Sequence, residues 1–159
     1  MKNGGTIMKI RVYSEAFENM QEVPERYTID GEGVSPPLAW DNIPENTKSL
    51  VLLVDDQDAP GGNFVHWLLY DIPPSVRKLP EFQNGSGILP NGAVQGINSS
   101  GRIGYFRFSP PYGTHRYVFK IFALDKKLNL PPGKDKKQIE RAMDGHVIAW
   151  GELLGVYAR

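Results

Sequence analysis

The run Arg116 to Asp125, RYVFKIFALD, limits the fold of this chain more than any other stretch. Tyr117, Phe119, Ile121 and Ala123 alternate with Val118, Lys120, Phe122 and Leu124, so a strand made from it is largely apolar on both faces. Such a strand must lie between two layers, as in a β-sandwich. Two further runs, Ser49 to Asp55 (SLVLLVD) and Phe64 to Ile72 (FVHWLLYDI), have strand length and β-branched or aromatic content, and each is closed by an Asp or Pro turn signal. These three runs predict the sheet core.

Between them lie long connections rich in proline, glycine and asparagine: DGEGVSPPLAWDNIPEN, PEFQNGSGILPNG and GINSSGRIGYFRFSPPYGTH. Irregular backbone must satisfy its polar groups one by one, so loops this long in a compact domain point to function. One helix is predicted in PPGKDKKQIERAMDGH, with Ile139, Ala142 and Met143 on one face and Gly145 as a left-handed cap. In the tail HVIAWGELLGVYAR, Gly151 and Gly155 weigh against a helix interior and favour a strand.

At 159 residues, without repeats or a shift in composition, residues 1–159 are expected to form one domain. Lys+Arg and Asp+Glu both number 18, which leaves no global field to draw the protein onto nucleic acid or an anionic membrane. The absence of cysteine excludes disulfides, thiolate nucleophiles and zinc-thiolate sites. The start MKNGGTIMKIRVYSEAF has no apolar core of the length a secretory signal needs, and no apolar run approaches membrane-spanning length, so a soluble cytoplasmic protein is expected. Asn98-Ser99-Ser100 matches a glycosylation acceptor, a coincidence if, as expected, the chain takes no secretory route.

Any chemistry must then be local, and it gathers around two stretches. In DDQDAPGGNFVHWLLYDIP, Asp56 and Asp58 close one apolar strand, a short Ala-Pro-Gly-Gly turn follows, and His66 enters the next. A carboxylate beside an imidazole fixes its tautomer and favours its protonated, hydrogen-bond-donating form. Of the two acids, Asp58 is expected to serve only the turn. In SPPYGTHRY, prolines stiffen the loop, and alternation then puts His115 and Tyr117 on one face with Arg116 on the other as a structural ion-pair partner. His146, beside Asp144-Gly145, reads as a capping or packing residue.

The motifs DDQDAP followed by HWLLYDIP, then GINSSGRIGYFRFSPPYGTHRYVFKIFALD and finally AMDGHVIAWGELLGVY, in this order and from SPPLAW near Ser35 to the end, resemble the phosphatidylethanolamine-binding protein family, in its prokaryotic branch. The resemblance implies a mainly β fold: a Greek-key-like antiparallel sandwich of a large and a small sheet, with one or two short helices near the C-terminus. It implies a small pocket for anions such as phosphate, lined by Asp56, Pro60, His66, Pro111, His115 and Tyr117 and supported by Asp58 and Arg116. The acids would orient His66 and brace the loop, and the site would use no metal and no cofactor. GYFRFSPP departs from the small residues common in the family, placing Arg107 and Phe108 at the pocket's edge. Arg107 turned inward would add a donor for phosphate; turned outward, the favoured reading, it is a solvated surface arginine.

Three functions compete. A non-enzymatic anion-binding protein regulating or inhibiting kinases or serine proteases is the first. An Asp/His-dependent hydrolase of a small ester or phosphoester is the alternative; it lacks a Gly-x-Ser-x-Gly elbow and would need Ser109 or Ser99 within reach of a histidine. In the third, exposed proline-rich loops contact the partner enzyme directly. Expected partners are a small anion or phosphorylated ligand and a serine protease or protein kinase, with a homodimer left open. If imidazoles donate to the anion, phosphate binding should tighten as pH falls through the histidine range near ~6.5, partly offset by the second ionisation of a phosphate monoester near ~6, so that sulfate, which keeps its charge, is the cleaner probe.

Overall fold

The computed structural model describes residues 8–81 and 86–159; residues 82–85 of the proline-rich connection after Leu79 lie outside them. The strands are β1 (Met8–Lys9), β2 (Arg11–Tyr13), β3 (Gln21–Glu22), β4 (Leu38–Asp41), β5 (Ser49–Asp56), β6 (Phe64–Ile72), β7 (Lys78–Leu79), β8 (Val94–Gln95), β9 (Thr114–Leu124) and β10 (Val147–Ala158), with one α-helix, α1 (Lys136–Met143). They form a large sheet ordered β1-β10-β9-β5-β6-β8, with β3 also on β10, and a small sheet ordered β2-β4-β7. The mainly β sandwich of a large and a small sheet is the architecture expected.

All pairs within the centre of the large sheet and throughout the small sheet are antiparallel, whereas the two-residue strands β1 and β3 run parallel to β10. The three predicted strands are β5, β6 and β9, and the glycine-bearing tail is β10. The stretch read as a loop around SPPLAW contains β4, whose alternate residues Leu38 and Trp40 are buried.

β5 is buried at every position, as a strand covered on both faces must be. On the inner face Leu52, Val54, Trp67, Phe119 and Ile121 pack against Trp40, Leu38 and Val12 of the small sheet. On the outer face Val51, Leu53, Leu68, Tyr70 and Leu124 are covered by Ile139 and Met143 of α1. The second layer over β9 is thus a helix on one side and a sheet on the other. The helix begins at a reciprocal capping box, Asp135 accepting from the Gln138 amide and Gln138 from that of Asp135, and Gly145 follows it at φ +80°.

Candidate functional site

The end of the large sheet where β5 stops and β6 and β9 start gathers most of the residues singled out in the sequence. Asp56 stands opposite Phe64 on β6 and Tyr117 on β9. Side chains alternate along a strand, so His66, two residues past Phe64, and His115, two before Tyr117, share the face of Asp56.

A cavity of about 180 Å³ opens there, lined by Asp56, Pro60, His66 and Pro111 from the predicted set and by Ala59, Phe64, Phe106 and Ser109. His115 and Tyr117 are not among the lining residues. His115 stands beside the cavity with Nδ1 2.6 Å from Asp56 Oδ2, both side chains buried. Tyr117 is fully buried and its hydroxyl has no hydrogen-bond partner among the described residues. Burial first, and then the negative charge of Asp56, raise its pKa.

Asp56 therefore holds His115, where the sequence reading had it orient His66. A carboxylate only accepts, so His115 donates from Nδ1. The other Asp56 oxygen accepts from the Asp58 amide at 2.8 Å, which satisfies both oxygens while leaving the negative charge beside the cavity. Asp58 in turn accepts from Arg116 three times, from its backbone N–H at 2.8 Å, Nε at 2.9 Å and Nη2 at 2.8 Å. These bonds pull the Asp58 carboxyl down to about 2 and tie the β5–β6 turn to the start of β9.

His66 is held by a backbone carbonyl instead. Its Nδ1 lies 2.6 Å from Phe106 O, while the Phe106 N–H donates to His66 O at 2.8 Å, so one residue grips the other's peptide from both sides. The ring sits among Phe64, Phe106, Phe108 and Tyr117, with centroids 4.8 to 5.9 Å away. Burial pushes its pKa down to about 4, against the opposing pull of the Phe106 carbonyl and Asp56.

Phe108, expected at the pocket's edge, is fully buried and lies flat on Tyr117 at 3.9 Å. Of the two neighbouring phenylalanines, Phe106 and not Phe108 lines the cavity. Arg107 is exposed and packs across Gly33, away from the lining. His146 pairs at the surface with Asp125 at 2.8 Å.

Sequence reasoning missed Asn98. It is buried, its amide donates to Gly104 O at 2.9 Å and its Oδ1 accepts from the Ser100 N–H at 2.9 Å, so it shapes the loop that delivers Phe106. The Asn-x-Ser pattern was visible, but its internal use depends on the folded loop. Ser99 accepts from the Val65 amide at 2.7 Å. A larger groove of about 850 Å³ lies against the small sheet, between Tyr13, Leu38, Val76 and Pro80; it holds no histidine. Among the described residues no group of three or more His, Cys, Asp and Glu side chains is placed to hold a metal ion, and no helix is long and apolar enough to cross a membrane.

The model of one family matches residues 13–158 of this chain: phosphatidylethanolamine-binding protein. This chain belongs to that family. It is 47% identical over 146 residues to a UPF0098 protein of Methanothermobacter thermautotrophicus, covering 92% of this chain and 97% of the relative, and 46% identical over 163 residues to one of Aquifex aeolicus, covering 98% and 91%. Among solved structures it is similar to a protein of Chlamydia trachomatis described as a phosphatidylethanolamine-binding protein homologue (TM-score 0.88, 40% identity, 95% of this chain and 98% of that one). It is also similar to E. coli YbcL, described as a member of the mammalian family (TM-score 0.87, 31% identity, 95% and 99%).

Proposed function

We propose that this chain is a non-enzymatic binding protein whose cavity receives a small oxyanion, a phosphoryl group foremost. The observation that carries the reading is the convergence of His66 and Asp56 on one small cavity, with His115 held behind Asp56 and each ring pinned through Nδ1. Pinned polar groups in an apolar, proline-walled cleft are the mark of a preorganised ligand site. At about 180 Å³ the cavity admits a group of a few heavy atoms and not a drug-sized ligand. A binding role is favoured over hydrolysis because Ser109 lines the cavity without a hydrogen bond to either histidine, and Ser99 is engaged by β6.

Regulation of a protein kinase or serine protease is a second reading. Tyr112, 76% exposed beside Pro111 at the cavity's mouth, favours it: an aromatic ring held out to solvent on a proline-braced loop suits a partner's surface. Calorimetric titration of methyl phosphate near pH 5.5 tests the first reading, with one site expected in the wild type and none in His66→Ala. Absence of binding in the wild type would refute it. Inhibition of a panel of kinases and serine proteases, lost in Tyr112→Ser, tests the second.

A further inference from the structure

We propose that the cavity selects a phosphoryl group that carries its own acidic proton, the monoanion of a phosphomonoester, over ligands of similar shape with no proton to give. This rests on the oxyanion reading above and specifies the ligand within it.

The argument starts from the His66 ring. Its Nδ1 faces Phe106 O at 2.6 Å. A carbonyl oxygen only accepts, so Nδ1 carries the hydrogen, and in the neutral ring Nε2 is a lone pair. Nε2 has no partner among the described residues and is not one of the buried side-chain atoms sealed without a partner. The ring nitrogen available to a ligand is therefore an acceptor. A fully ionised oxyanion has only lone pairs to set against it.

Nothing else facing the ring reverses this. From β5 comes Asp56, a negative charge with both oxygens already used. From β9 come Tyr117, whose hydroxyl is buried, and His115, whose Nδ1 is on Asp56. From the loops come Pro60 and Pro111, which have no N–H, and Ser109. Arg116 is engaged by Asp58, and Arg107 is exposed over Gly33. Among the described residues no Lys or Arg lines the cavity. A dianion would meet a carboxylate with no cation to answer it, whereas a monoanion that donates one O–H to Nε2 relieves both conflicts.

The other route is to protonate His66. With its pKa near 4, that route is disfavoured at pH 7 by on the order of 10³-fold, tenfold for each pH unit. Sulfate and phosphodiesters have only this route. The same phosphoryl chemistry reaches the protein either on a free monoester or within a diester headgroup, and the proton separates the two sources.

The test is calorimetry on the wild type with methyl phosphate, dimethyl phosphate and sulfate at equal ionic strength, from pH 5.5 to 8.5. Methyl phosphate is expected to bind at least about tenfold more tightly than the other two at pH 5.5, and to weaken towards tenfold per pH unit above its second ionisation near ~6. Sulfate or dimethyl phosphate binding as tightly as methyl phosphate, or methyl phosphate affinity constant up to pH 8.5, would overturn the proposal while leaving the oxyanion reading in place. No binding of methyl phosphate at any pH would overturn both. The series needs no variant, so no folding defect can obscure it.

Discussion

Replacing Phe108 with alanine is expected to destabilise the protein by about 3–5 kcal/mol, the cost of deleting a large buried ring and leaving a cavity. The ring is fully buried, stacks on Tyr117 at 3.9 Å, and makes edge contacts with His66 at 5.0 Å and Phe119 at 5.9 Å. Tyr117 and Phe119 sit on the central strand β9, paired on both sides, and cannot close over the gap. For a chain of this size each kcal/mol lowers the thermal midpoint by roughly 2–4 °C, so a fall of roughly 6–20 °C is expected. Phe108→Leu keeps most of the apolar volume and should lose about half as much. Urea unfolding followed by tryptophan fluorescence is the assay, since Trp40 and Trp67 are buried in the same cluster; the midpoint should move with the slope unchanged. An alanine variant within about 1 kcal/mol of wild type is the result expected of an exposed rim residue, and it would refute the placement of this ring in the core.

Asp58→Asn should alter the acid limb of stability. The Asp58 carboxyl is depressed to about 2 by Arg116, so its contribution is fully present above the unfolded value near ~3.9 and is lost as pH falls through the folded value. Urea midpoints measured between pH 5 and 2 should fall less steeply in the variant, and parallel curves would contradict the assignment. Gly151→Ala should detach β1 from β10, because an added Cβ would lie 1.8 Å from the Ile10 carbonyl oxygen. The Ile10 amide, which donates to Trp150 O at 2.8 Å, reports on this by hydrogen exchange; undiminished protection would argue against the contact.

The long strands were legible because each carries its own signal. β5, β6 and β9 are apolar enough to be buried on two faces, and their short length, β-branched and aromatic content and flanking turn signals favour strands over a buried helix. The short strands carry almost none. β1 and β3 have two residues each and are strands only because β10 passes beside them, in a parallel register that no local pattern specifies. β4 was hidden among prolines, although the alternation of Leu38 and Trp40 was there to be read. The helix start was better marked than the preceding prolines suggested: Asp135 with Gln138 three residues on is a capping-box signature.

The site was legible to the level of a shared face and no further. Alternation places His66 and His115 on the side of Asp56, but in opposite directions along the sheet. β6 and β9 both run antiparallel to β5, so His66, after the Phe64 opposite Asp56, lies two residues deeper, while His115, before the Tyr117 opposite Asp56, lies two residues nearer the sheet end. Closeness in sequence favoured an Asp56–His66 pair across a short turn. The carboxylate reaches His115 instead, and the deeper ring takes its partner from Phe106, in a loop forty residues away in sequence. That choice decides the chemistry. A histidine donating to a carboxylate keeps a charge partner, whereas one donating to a neutral carbonyl in an aromatic nest loses its proton readily and offers a lone pair. The two histidines are therefore not interchangeable donors. The expectation that falling pH strengthens sulfate binding through a protonated imidazole, and phosphate binding less so, therefore stands against the proposal above, in which the ligand's own proton favours the phosphomonoester.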